Sequence, residues 1–442
     1  AVLTDAGKLA EGSAKALTDQ SAGEAVTVFN SLGFARKELV SLPECFASGA
    51  ETADGEPIPV QAAQGTVKAL VTIPSCGAVT LVPCETAESL PEGASIAVTE
   101  DGYRMENALI AAEINRNGEV TSFVLKGSGR EFAASPMNRF RMYKDVPRMF
   151  DAWDIDSNYV DQEVEAAADI TTEIIEEGLE AVLRVKGRIG SSFYTQDIRL
   201  RADSRRLEFE TEIDWRELHR LLKTVFPVDV YAENGINEIQ FGYVQRPTHR
   251  SRQYDKDRFE VCNHRYSALC DGSHGAAVLN DCKYGISMNA NALELTLLRA
   301  AASPEMRADN KIHRFTYGFT VWEGSFTDSD VVRQGYELNV KPLVTAGSTK
   351  TFRAVQVEKE NVILDTLKPA EDGSGDLILR LYESKKASVS TRVEFSFGCC
   401  RAYLCDMLEN AEEEIPMENG GIRLEFKAFE VKTVRVQTGL HT

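Results

Sequence analysis

Apolar positions recur along the chain at two spacings. In residues 1–20, Leu3, Leu9 and Leu17 with Ala6, Ala10 and Ala14 form a stripe of helical period, which predicts one helix. A lone helix of this length is marginal in water, so it should pack on a sheet of this chain or belong to a larger helical unit. From Glu24 the period falls to two. AVTVFN, ELVSLP, PIPVQAAQ, VKALVTIP and GAVTLVPC read as strands divided by Gly and Pro breaks, and residues 24–104 read as a small β-sandwich.

The segment NALIAAEINRNGEVTSFVLKGSGREF predicts two strands joined at Asn117-Gly118, a hairpin signal. Long strands follow: EAVLRVKGRI, SFYTQDIRLRA and RRLEFETEIDW. In the last, Leu207, Phe209, Thr211 and Ile213 alternate with Glu208, Glu210 and Glu212, giving one buried and one wet face. Residues 105–345 hold many such strands and no sustained helix, as a large antiparallel sandwich requires. After a loop around Pro342, residues 346–442 carry a further strand set, from Phe352 to Val436. The expected class is mainly β with a short N-terminal helix at 1–23.

At 442 residues the chain exceeds one compact core, and several domains are expected. The net charge of −19 repels phosphate backbones, which speaks against nucleic acid as a partner. No apolar run is long enough to span a membrane, and the first residues lack the form of a secretory signal. Nine irregularly spaced cysteines read as reduced thiols of a cytoplasmic protein.

The histidines are scattered, with no HExxH or HxH pair and no CxxC near one, so no metal site is expected within the chain. GxSxG, Walker and GxGxxG patterns are absent. Sugar sites instead combine Asp and Glu acceptors with aromatic faces. PRMFDAWDIDSNYV supplies Asp151, Trp153, Asp154 and Asp156 together. LNDCKYG offers Asp281, Lys283 and Tyr284, and RADNKIHRF offers Asp309, Asn310, Lys311 and His313. QRPTHRSRQYDKDRF carries Arg246, His249 and Arg250. Each of these also reads as a plain solvated loop. Glu212 and Asp214 form a same-face carboxylate pair, best read as part of a wet sheet face.

Taken in order, VFNSLGFARKELV, NALIAAEINRNGEVTSFV, FDAWDID, QDIRLRADSRRLEFETEIDW, LLKTVFPVDV, QFGYVQRPTHRSRQYDKDRFEVCNHR, VLNDCKYG and LDTLKPAEDGSGDLILRLYE resemble the C-terminal region of glycoside hydrolase family 38, the α-mannosidases, in its bacterial and cytoplasmic branch. The resemblance implies a galactose-mutarotase-like β-supersandwich at the centre, a C-terminal β-sandwich, and an opening helix that is the remnant of a helix bundle. It implies that zinc and the aspartate nucleophile lie on an α/β-barrel outside this chain, so no catalytic or metal residue is expected here and the chain alone should be inactive. It also implies that Trp153 and Asp154 wall the sugar pocket, with Asp151, Asp281, Lys283, Tyr284, Asp309, Lys311 and His313 as further substrate-binding candidates. The implied partners are an α-mannoside or mannose-containing oligosaccharide and the barrel of the parent protein. A stand-alone carbohydrate-binding module and a purely structural scaffold are the alternatives.

Overall fold

The computed structural model describes residues 2–63, 65–85, 88, 92–165 and 167–438. The protein is mainly β, with one helix at the N-terminal side, Val2–Ala16. It divides into two compact units. One comprises Ala1–Leu90, Gln240–Gly242 and Val340–Thr442, the other Pro91–Ile239 and Tyr243–Asn339.

In the first unit a six-stranded sheet and a three-stranded sheet enclose the core of a small sandwich, centred on Val28, Phe46, Val71 and Leu81. The strand Leu343–Ala346 pairs antiparallel with Val26–Asn30, more than 300 residues earlier in the chain. The helix lies along Leu343–Ala346 and buries Ala14, while Leu3, Leu9 and Leu17 stay exposed. The remaining strands form sheets of four and five around Val355, Leu379, Val393 and Val434.

The second unit holds sheets of five, six and nine strands around one core. Residues 95–104, read from the sequence with the small sandwich, fall in two strands of its five-stranded sheet, Ser95–Val98 and Gly102–Glu106. The Asn117-Gly118 hairpin joins Ile110–Asn115 to Val120–Leu125. Gly118 takes φ +78°, and the Asn115 side chain accepts the N–H groups of Asn117 and Glu119. In Leu207–Asp214 burial alternates as the period-two pattern demands: Leu207, Phe209, Thr211 and Ile213 point inward. Their faces meet an aromatic stack in which Phe209 lies 5.1 Å from Tyr317 and Phe226 lies 5.3 Å from Phe319. On the outer face Glu212 pairs with Arg314 at 2.7 Å, and Asp214 with Arg216 at 2.9 Å. Both carboxylates are committed to neighbouring arginines on a wet sheet surface.

The six-stranded sheet positions the site. Its order is Glu163–Glu165, Arg139–Lys144, Arg220–Pro227, Ala292–Arg299, Gly285–Asn289 and Val261–Cys262. Leu221 faces Arg299 at one end of the central pair, and Pro227 faces Ala292 at the other.

Candidate functional site

The FDAWDID segment is an out-and-back loop. The strand Arg139–Lys144 leaves the sheet at Asp145, and Glu163–Glu165 returns to pair with the same strand. Short 3₁₀ turn Ser157–Asp161 closes the return and drives Tyr159 into the core, where its hydroxyl donates to Glu260 at 2.5 Å. Lys223, fully buried on the neighbouring strand, donates to Glu260, to Ser287 Oγ at 2.8 Å and to Tyr159 Oη at 3.2 Å. Burial first, and the Glu260 charge second, push the Tyr159 phenol well up, so it remains a proton donor.

Arg299 fixes the other end of the loop. It donates from Nε to the buried Asp145 carboxylate at 2.7 Å, and from Nη2 to the carbonyls of Asp154 at 2.7 Å and Asp151 at 3.2 Å. Burial raises the Asp145 carboxyl above the usual carboxylate range, with Arg299 opposing that rise. Asp151 accepts the N–H groups of Ala302 and Ser303 at 2.7 and 3.0 Å and stands 3.6 Å from His219 Nδ1. Asp156 accepts the Arg148 N–H, and Asp154 the Ile155 N–H, both at 2.9 Å. Each of these carboxylates accepts at least one backbone N–H group and so helps to hold the loop.

What the anchored loop presents outward is apolar. Trp153 is 75% exposed, Phe150 61% and Met149 58%. Phe150 holds φ +56° and accepts the N–H groups of Trp153 and Asp154 through its carbonyl, so the turn is closed tightly with both rings outside.

A second cluster is built around Phe315. Asp281 accepts the Thr316 N–H at 2.9 Å, and Lys283 Nζ sits 4.4 Å from the centre of the Phe315 ring, a cation–π contact. Burial lowers the Lys283 ammonium, opposed by the nearby charges, Asp281 and Asp309 among them. His313 Nε2 lies 2.7 Å from the Asp309 carbonyl; a carbonyl only accepts, so Nε2 carries the proton. Burial also lowers His313. The structure thus brings Asp281, Lys283, Asp309 and His313 together around Phe315. Asp281 also borders an open cleft of about 510 Å³ over the charged face of the nine-stranded sheet, with Arg184, Asp197, Glu210 and Glu212. Lys311 extends its side chain outward and gives only its carbonyl, to the Trp215 N–H. Tyr284 turns aside toward the His264 ring, 5.8 Å away. The segment 300–311 links the two clusters: Ala302 and Ser303 bind Asp151, and Asn310 donates to the Glu217 carbonyl at 3.1 Å.

Sequence reasoning missed Asp145, His219 and Arg299. Arg299 ends the strand ALELTLLR, where a terminal arginine carries no periodic signal. Among the described residues no group of three or more His, Cys, Asp or Glu could hold a metal ion. No helix among the described residues is long and apolar enough to cross a membrane.

Two family models match the chain. The glycosyl hydrolases family 38 C-terminal domain matches residues 105–307, and the family 38 C-terminal beta sandwich domain matches residues 361–434. The chain belongs to glycosyl hydrolase family 38. Within that family it is similar to Alpha-mannosidase 2C1 of Homo sapiens, 32% identical over 431 residues, 92% of this chain and 39% of the human protein. Alpha-mannosidase G of Dictyostelium discoideum is also 32% identical, over 376 residues, 80% of this chain and 33% of that protein. This family 38 chain thus spans about two fifths or less of the length of these relatives. In fold it matches the crystal structure of an alpha-mannosidase from Enterococcus faecalis V583, with a TM-score of 0.75 at 15% identity, covering 96% of this chain and 57% of that one.

The lowered His313 makes a pH prediction for this family 38 unit. Its native value lies below the unfolded one, so the native ring stays neutral while the unfolded ring takes up a proton as pH falls through about 6.5. The stability that His313 contributes at neutral pH should decline below that point. His313→Gln keeps a donor for the Asp309 carbonyl and cannot titrate. Urea midpoints measured between pH 7.5 and 5 should fall less for the variant than for the parent chain, and parallel curves would refute the assignment.

Proposed function

We propose that this chain is the non-catalytic C-terminal β portion of a retaining, zinc-dependent α-mannosidase of family 38. Its loops wall the sugar pocket and dock the catalytic α/β-barrel of the same parent protein. The observation that carries this reading is the 145–162 loop, which is clamped from beneath by Arg299 and Lys223 and yet holds Met149, Phe150 and Trp153 out in solvent. An isolated surface loop has no use for rings held that way; an interface does, because anchors fixed in advance lose little entropy on association. The Asp281, Lys283, Asp309 and His313 cluster, tied to the loop through the segment 300–311, supplies donors and acceptors for sugar hydroxyls. Their work is positioning, which holds a substrate in reactive geometry without proton transfer. The intended substrates are α-mannosides, acted on inside the cytoplasm.

The test is association in trans. The purified chain is titrated with the separately produced barrel portion of its parent protein in an analytical ultracentrifuge. Saturable one-to-one association supports docking. The absence of any complex at high micromolar concentration would favour a stand-alone carbohydrate-binding module.

A further inference from the structure

The far end of the six-stranded sheet carries a cleft that the docking reading does not use. It opens where Pro227 faces Ala292, six strand positions from the Leu221–Arg299 end that supports the Trp153 loop, or about 20 Å along the strand. The cleft encloses about 790 Å³, within the range of about 300–1,000 Å³ usual for small-molecule sites. Three turns build it: 229–233, 248–250 and 289–291.

Hydrogen bonds sew these turns into one frame. Val228 N–H donates to the Asn291 carbonyl at 2.9 Å, and Asn291 Nδ2 donates back to the Val228 carbonyl at 2.8 Å. Buried Thr248 donates its N–H to the Glu233 carbonyl at 3.0 Å and its hydroxyl to the Ala232 carbonyl at 2.6 Å. Its own carbonyl accepts the Ala290 N–H at 2.8 Å. The backbone is therefore committed and the shape is set before any ligand arrives.

The side chains facing the space are not committed. Among the described residues Tyr231, Glu233, Arg250 and Asn289 make no side-chain hydrogen bond or ion pair, although Arg250 is half-buried. Arg246, singled out in the same sequence stretch, is spent differently: it donates to Asn237 at 2.6 Å and to the Cys262 carbonyl at 3.2 Å. Tyr231 is 79% exposed, a flat ring at the cleft.

We infer that this cleft is a second ligand site, distinct from the Trp153 surface, and that it binds a neutral oligosaccharide. A sugar hydroxyl both donates and accepts, so its site needs both kinds of partner. Arg250 and Asn289 donate; Glu233 accepts. The Tyr231 ring packs on the C–H face of a pyranose. An anionic ligand fits less well, because Asp229 and Glu233 line the same space on a chain of net charge −19. Asp229 is itself tied to Arg130 at 3.2 Å, which leaves Arg250 as the unpaired cation of the cleft.

The experiment is calorimetric titration of the full chain with α-1,2-linked mannotriose, maltotriose and inorganic phosphate. Tyr231→Ala, Arg250→Gln and Trp153→Ala are compared with the parent chain, with melting curves as the fold control. Binding of at least one trisaccharide is expected, weakened roughly tenfold or more by Tyr231→Ala and by Arg250→Gln and unchanged by Trp153→Ala. Three results would overturn the inference: no binding of either trisaccharide, binding of phosphate alone, or trisaccharide binding that disappears with Trp153→Ala and survives Tyr231→Ala.

Discussion

Lys223→Ala will destabilise the chain by about 3–5 kcal/mol, the cost of leaving one partner of a buried ion pair alone. Lys223 is fully buried and faces Glu260, Tyr159 and Ser287 at once. Removing the ammonium leaves the Glu260 carboxylate without its counter-charge, with only the Tyr159 and Thr296 hydroxyls as donors among the described residues, and Tyr159 loses a donor to its hydroxyl. The loss reaches the surface because Tyr159 sits in the 3₁₀ turn that closes the 145–162 loop. Denaturant unfolding gives the magnitude, and amide hydrogen exchange gives the location: protection of residues 146–160 should fall more than that of the aromatic core. Lys223→Met with Glu260→Gln, which removes both charges, should recover much of the loss. A single variant within about 1 kcal/mol of the parent would show that the network carries little.

With the docking proposed above, Phe150→Asn combined with Trp153→Ala should weaken association with the barrel by roughly 30-fold or more, since an interfacial tryptophan anchor alone is commonly worth about 2 kcal/mol or more. Asparagine is chosen because Phe150 holds φ +56°, a conformation that asparagine tolerates among the side-chain-bearing residues. Both rings are largely exposed, so unfolding stability should change by no more than about 0.5 kcal/mol. Sedimentation equilibrium of parent and variant with the barrel separates the two effects. Unchanged association would place the docking surface elsewhere.

Much of the fold was legible because strands with one wet face write their burial into alternate letters. Leu207, Phe209, Thr211 and Ile213 show this, as does the Asn117-Gly118 hairpin. The helix was visible from its apolar stripe, but the stripe did not reveal that only Ala14 would be buried within it. The pairing of Leu343–Ala346 with Val26–Asn30 was not legible, because no local pattern specifies a partner three hundred residues away. For the site, the aromatic and acidic letters of FDAWDID mark a loop, while the bonding of those letters was hidden. Asp151, Asp154 and Asp156 turned out to accept backbone N–H groups, and Arg299 and Lys223, which hold the loop in place, sit in strands whose sequence reads as ordinary. Lys283 and His313 were noticed singly; that they share the Phe315 neighbourhood came only with the fold.

The most direct measurement is turnover of 4-nitrophenyl α-mannoside by the purified 48.8 kDa chain with added zinc, its mass verified on the same sample. No turnover is expected of the chain alone, since a retaining glycosidase needs a pair of carboxyl groups about 5–5.5 Å apart and the proposed function leaves that pair to the barrel. Turnover at that mass, abolished by Asp154→Asn, would contradict that proposal and place the chemistry in the residues assigned here to support.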